Sequence, residues 1–201
     1  MIKKLVLASA NPAKLRELQA LLAELGIEVL AQSALGVPEA EETGTSFAEN
    51  ALLKARHAAQ HAGLPAIGDD SGLVVDALGG APGIYSARYA GRHGDNTANI
   101  RKLLHAMHRL PAEKRSARFH CAMAWVRSAD DPAPLICEAD WEGRILEAAC
   151  GHGGFGYDPV FLVPGKDCSA AELPPEEKNR LSHRGQALRK LVAQLRTLAD
   201  S

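Results

Sequence analysis

The chain has 201 residues, of which 46% are hydrophobic and only 4% aromatic, enough for one large domain or two small lobes sharing a core, with a mainly aliphatic interior. A formal charge of −1 and a pI near 6.7 speak against a general binder of nucleic acid or anionic membrane, so any positive field must be local. No run approaches the roughly 20 apolar residues of a membrane-spanning helix, and Cys121, Cys137, Cys150 and Cys168 form no C-x-x-C pair of the zinc-ribbon or thioredoxin kind.

The start, MIKKLVLASANPAK, has the lysines and apolar run of a secretory signal. That run is shorter than the roughly 7–15 residues such a segment needs, and an amphipathic helix follows at once. The expectation is a soluble, cytoplasmic protein with reduced, buried thiols. KKLVLAS (3–9) predicts a buried strand. NPAKLRELQALLAELG then places Leu15, Leu18, Leu22 and Leu25 on one helical face, with Asn11 as cap, Pro12 at the first position and Gly26 at the end. IEVLAQ reads as a second strand and residues 33–45 as a loop. TSFAENALLKARHAAQHAG opens with a capping box, Ser46 with Glu49, and stops at Gly63. AIGDDSGLVVD (66–76) predicts a strand, a tight turn at Ser71–Gly72 and a further strand.

Beyond it, GGAPGIYSARYAG is a punctuated loop and NTANIRKLLHAMHRL a helix. ARFHCAMAWV and PLICEADWEGRILEAA form two strands joined by the turn SADDPA. GHGGFGYDPVFLVP is a glycine-rich loop running into a strand, and helices starting near 175 and 182 close the chain. No repeat or linker divides it. A strand–helix–strand opening followed by hairpins predicts an α/β architecture with a mixed sheet, one domain over 1–201 and a second lobe at roughly 115–150.

Adjacent acids are costly inside a strand unless something offsets their charge. A strand sends Asp69 and Asp70 to opposite faces, so one can bind a metal while the other hydrogen-bonds locally. SANPAK (9–14) puts a helix N-terminus and Lys14 at the end of a strand, a corner that favours an anion, although an ordinary strand-to-helix turn has the same features. Glu41 and Glu42 precede the next helix, and Asn50 and Lys54 share a face of it. Magnesium prefers one or two carboxylates completed by phosphate oxygens. The glycines of GHGGFGYDP lack the helix a dinucleotide fingerprint requires; they leave Phe155 able to lie flat against a planar ligand or to pack in a tight turn. Lys178, His183 and Arg184 gather around a helix cap at Ser182, with Gly185 allowing close approach. His57 and His61 are four apart without the glutamate of a zinc-protease helix, and Trp125 and Trp141 read as packing residues.

Taken in order, LVLASANPAKLREL, AEETGTSFAENALLKARHAA, AIGDDSGLVVDALGGAPGIYSARYAG, ARFHCAM, GGFGYDPVF and EEKNRLSHRGQAL resemble the inosine/xanthosine triphosphate pyrophosphatase family over almost the whole chain. The resemblance implies a two-lobed α/β fold with a long mixed sheet flanked by helices, an active cleft between the lobes, and a homodimer. It implies hydrolysis of deaminated purine nucleoside triphosphates (ITP, dITP and XTP) to the monophosphate and pyrophosphate with Mg2+, and neither nucleic acid nor membrane as partner. By the same likeness the stretch Ser9, Ala10, Asn11, Pro12, Ala13, Lys14 holds the triphosphate. Glu42 and Asp70 are its metal carboxylates, Asp70 is also the base that activates water, and Ser71 contacts substrate. Phe155, Gly156, Tyr157 and Asp158 enclose the base, Lys178, His183 and Arg184 complete the pocket, and Lys14, Lys54 and Lys178 stabilise the departing pyrophosphate.

Ala10 and Ala13 stand where the family often has glycine; a left-handed backbone there would cost alanine about 1 kcal/mol. Two rival readings are a Maf-like pyrophosphatase acting on other nucleotides and a non-catalytic nucleotide-binding protein. FGYDP and SHRGQAL argue against the first, and the presence of both Glu42 and Asp70 against the second.

Overall fold

A computed structural model describes residues 2–9 and 11–199, with the side chains of Ala13, Glu17, Leu21 and Ala199 left aside. The elements follow in chain order as β1 (Lys4–Leu7), α1 (Pro12–Ala23), β2 (Glu28–Ala31), α2 (Phe47–Ala62), β3 (Ala66–Val75), α3 (Asn96–Ala106), β4 (Ser116–Val126), β5 (Leu135–Ile145), β6 (Phe161–Leu162), α4 (Pro175–Leu181) and α5 (His183–Ala199). One six-stranded sheet takes the order β2-β1-β3-β4-β5-β6. It is mixed: β1 runs parallel to β2 and β3, while β5 and β6 are antiparallel. The expected α/β class is the one observed.

The chain divides into two compact units. The first ends at Asp70, takes in Cys121–Ala139 and resumes at Ala187; the second comprises Ser71–His120 and Asp140–Gln186. In the first unit the alternation of β1 serves two cores. Leu5 and Leu7 join Leu18 and Leu22 of α1 and Leu188, Leu191 and Leu195 of α5. Val6 and Ala8 join Ala51, Ala55, Ala58 and Ala59 of α2. Small alanines on α2 let that helix lie close to the sheet. The second unit has its own core, in which Phe119, Trp141 and Phe161 meet at centroid separations of 4.5–6.3 Å. Most of the scarce aromatics are thus concentrated there, Trp125 being buried in the first unit, and the cores of both units are mainly aliphatic as expected.

Local signals explain the boundaries. Asn11 Oδ1 accepts the Lys14 N–H at 3.4 Å, and Ser46 Oγ accepts that of Glu49 at 3.1 Å. Gly63 closes α2 with φ +63°. The Glu49 carboxylate turns back to the Thr45 N–H and hydroxyl, which hold it below its ordinary pKa.

Three expectations need correction. Residues 66–75 form one uninterrupted strand with no turn at Ser71–Gly72; β1 pairs with it at Ala66 and Ile67, β4 is its other neighbour in the sheet, and its residues are mostly buried. The strand after the glycine-rich loop shrinks to Phe161–Leu162 behind a short 3-10 turn at Asp158–Val160. Of the cysteines, Cys121 and Cys137 are buried but Cys150 is exposed and Cys168 half-buried. Among the described residues no helix is long and apolar enough to cross a membrane.

Candidate functional site

The first unit builds its chemistry on the ends of β1 and β3 and the face of α2. After β1 the Ser9 hydroxyl accepts the Asn11 N–H at 3.2 Å, so the corner is folded by its own side chains before α1 begins at Pro12. Lys14, in the first turn, reaches Asp69 Oδ2 at 2.5 Å. Ala10 lies outside the described residues. Ala13 is helical, and among the described residues none but glycine has a positive φ, so the alanine cost raised above does not arise at Ala13.

Asp69 and Asp70 do point to opposite faces of β3. Asp69, 3% exposed, meets Lys14 of α1. Asp70 meets α2: its Oδ1 lies 3.0 Å from Lys54 Nζ and its Oδ2 accepts from Asn50 Nδ2 at 3.3 Å. Lys54 Nζ also lies 2.8 Å from Glu42 Oε1, while Glu41 stays exposed. Two lysines therefore stand against three carboxylates, Asp69, Asp70 and Glu42, leaving one negative formal charge in excess. Burial pushes the Asp70 carboxyl above its ordinary pKa against the pull of Lys54. Burial also opposes the Lys54 charge, but Asp70, Asp69 and Glu42 together outweigh it and raise that pKa.

Two residues the sequence reading left without a role hold this cluster. Asn50 is fully buried; its Oδ1 accepts the Gly44 N–H at 2.8 Å while its amide donates to Asp70, tying the loop that carries Glu42 to the carboxylate. Gly68 lets β3 approach α2: a Cβ there would stand 2.2 Å from the Ala51 carbonyl oxygen and 2.7 Å from Ala55 N. A glycine inside a strand is the sequence signal for such an approach, and the four-residue spacing of Asn50 and Lys54 is the signal for the amide.

Among the described residues no group of three or more His, Cys, Asp and Glu is placed to hold a metal ion. Glu42 and Asp70 nevertheless present carboxylate oxygens to one common point, now taken by the Lys54 ammonium. Two hard oxygen donors completed by substrate oxygens fit magnesium. The ring nitrogens of His57 and His61 face the carbonyls of Pro38 and His57, at 3.0 and 2.9 Å.

The second unit holds the remaining candidates. Ser71 Oγ is buried and, among the described residues, has no hydrogen-bond partner. Phe155, 49% exposed, sits between Gly154 and Gly156, whose φ values are +70° and +59°. A Cβ on Gly154 would collide with the Asp158 carboxylate at 2.1 Å. Asp158 Oδ2 accepts the Phe155 N–H at 2.7 Å and pairs with Lys178. The Lys178 ammonium lies 4.7 Å from the Phe155 ring centroid and the Arg184 guanidinium 5.2 Å. Phe155 is thus an exposed aromatic plane flanked by cations, not a core residue. Tyr157 and Asp158 are buried and act as supports; the Tyr157 hydroxyl donates to the Ser86 carbonyl at 2.9 Å, and burial pushes its phenol well up. His183 is also buried, stacked on Phe119 at 4.9 Å. Ser182 caps α5 by accepting the Gly185 N–H at 3.2 Å.

Residues 5–194 match the Ham1 family. A protein of Methylococcus capsulatus named dITP/XTP pyrophosphatase is 63% identical over 98% of this chain and 98% of its own. One of the same name from Vibrio cholerae is 59% identical over 94% of this chain and 95% of its own. The solved structure of a HAM1 protein from Coxiella burnetii superposes with a TM-score of 0.92 at 50% identity, covering 98% of this chain and all of that one.

Proposed function

The chain belongs to the Ham1 family, and from that membership we propose that it hydrolyses deaminated purine nucleoside triphosphates (ITP, dITP and XTP) to the monophosphate and pyrophosphate in a Mg2+-dependent reaction. The observation that carries this reading is the near full-length identity, 63% and 59%, with proteins named dITP/XTP pyrophosphatase.

The geometry supports a division of labour. Lys14 and Lys54, with the N–H groups at the start of α1, bind the triphosphate and take up charge as pyrophosphate leaves. Asp70 accepts the proton of the attacking water. The water oxygen bonds to the α-phosphorus as the α–β bridging bond breaks, and the bridging oxygen departs with the pyrophosphate. Glu42 and Asp70 are the residues that would hold magnesium, whose charge would offset that of the phosphates and polarise the α-phosphoryl group.

Phe155 offers a face on which a purine stacks, and Ser71 adds a hydroxyl toward substrate. Lys178 and His183 complete the base site. Arg184 has donors only, so it suits the C6 oxygen of hypoxanthine or xanthine and leaves the adenine amino group unpaired, a penalty of about 1–3 kcal/mol. A cytoplasmic homodimer belongs to the same proposal. Pyrophosphate release from ITP, dITP, XTP, GTP and ATP, with and without magnesium, tests it. Turnover of the first three in magnesium, far above that of ATP and lost with chelator, is expected. Equal turnover of ATP, or none of any, would overturn the reading.

A further inference from the structure

Lys54 stands where a cation shared by Glu42 and Asp70 would stand. Its Nζ is 2.8 Å from Glu42 Oε1 and 3.0 Å from Asp70 Oδ1, and its side chain is only 15% exposed. Asn50 holds the second Asp70 oxygen. The stem is fixed as well: Ala51 and Ala55, on either side along α2, are fully buried, and β3 packs against them at Gly68. What can move is the end of the lysine side chain.

Magnesium requires its carboxylate oxygens at roughly 2.0–2.1 Å. An ion at that distance and an ammonium bonded to the same oxygens cannot share the space, and their like charges repel strongly in a poorly hydrated site. Resting on the metal assignment made above, we propose that Lys54 is a resident counter-ion that excludes the divalent cation until a polyphosphate arrives, so that metal and nucleotide enter as one unit. The polyphosphate gives the displaced ammonium an anionic acceptor and gives the ion its missing oxygen ligands. Metal alone finds neither. By linkage, each ligand then tightens the binding of the other. The arrangement also gives the two carboxylates a shared counter-charge in the metal-free protein, offsetting one of their two formal charges.

The test uses Mn2+ alone as probe, with free Mn2+ measured by electron paramagnetic resonance and folding followed by thermal denaturation. Lys54→Met removes the ammonium; Lys54→Gln is a second variant whose amide still donates to one carboxylate; Lys54→Arg keeps the charge. Both uncharged variants are expected to bind Mn2+ about ten-fold or more tightly than wild type and to gain thermal stability from it, while Lys54→Arg stays as weak as wild type. If the folded Met and Gln variants bind no more tightly, while Glu42→Gln in the Lys54→Gln background still weakens binding, the counter-ion role is overturned and the metal assignment stands. If neither Glu42→Gln nor Asp70→Asn alters Mn2+ binding in that background, both are overturned.

Discussion

Asp69 and Asp70 are neighbours in sequence with separate partners, one on α1 and one on α2. Asp69 is engaged by a lysine 55 residues away in sequence, while Asp70 faces Asn50, Lys54 and Glu42 and carries a raised pKa caused first by burial. The base role proposed for Asp70 is lost when its oxygen becomes an amide, although the shape of the site is kept. Asp70→Asn is expected to lower kcat by about 10²–10⁴-fold while the nucleotide still binds, as isothermal titration in the absence of turnover would record. A purified variant with unchanged kcat would remove Asp70 from the mechanism.

At the scale of elements, the contact between β3 and α2 sets the position of Lys54. Gly68 is its narrowest point. A methyl group there meets backbone atoms of Ala51 and Ala55 at 2.2 and 2.7 Å and Lys54 Cβ at 3.2 Å. Backbone cannot rotate away, so strand and helix must separate. Gly68→Ala is expected to cost about 1–3 kcal/mol in urea denaturation and to depress activity further than the stability loss explains, since Lys54 shifts with its helix. Wild-type stability would show that the two elements can part freely.

The same contact marks what was legible in the sequence. Capping residues Asn11, Ser46 and Ser182 and the leucine spacing of α1 are local signals, and each marks an element boundary or face correctly. The glycines around Phe155 left open whether it packs in a turn or lies exposed, and the structure shows it exposed. The continuity of β3 was hidden because Ser-Gly is a turn signal in isolation; burial of the strand within the sheet overrides it. Pairings such as Lys14 with Asp69, or Lys54 between Glu42 and Asp70, depend on how distant segments meet. No period in the chain encodes that.

For the whole molecule, stability against pH follows from carboxylates that folding perturbs in opposite senses. Asp131, in the loop joining β4 and β5, accepts the Arg127 N–H at 2.8 Å, the Ala133 N–H at 3.0 Å, and the Arg127 guanidinium at 2.5 and 3.0 Å. Arg127 above all holds its pKa well below the usual carboxylate range. A depressed folded pKa means that the unfolded chain binds the proton more readily. The stabilisation is therefore present above the unfolded value of about 3.9 and is lost as pH falls below it. Asp70 acts in reverse: its folded pKa is raised, so the folded state binds the proton first and the acid's charge works against the fold as pH rises above the unfolded value. Solvent around the half-exposed Arg127 side chain keeps the Asp131 contribution modest. Asp131→Asn is thus expected to lose stability at pH 7 and to approach wild type in strong acid, whereas Asp70→Asn gains on wild type as pH rises from acid to neutral. Urea titrations of the three proteins from pH 2.5 to 7 distinguish these slopes; parallel curves would mean that neither carboxylate is perturbed by folding.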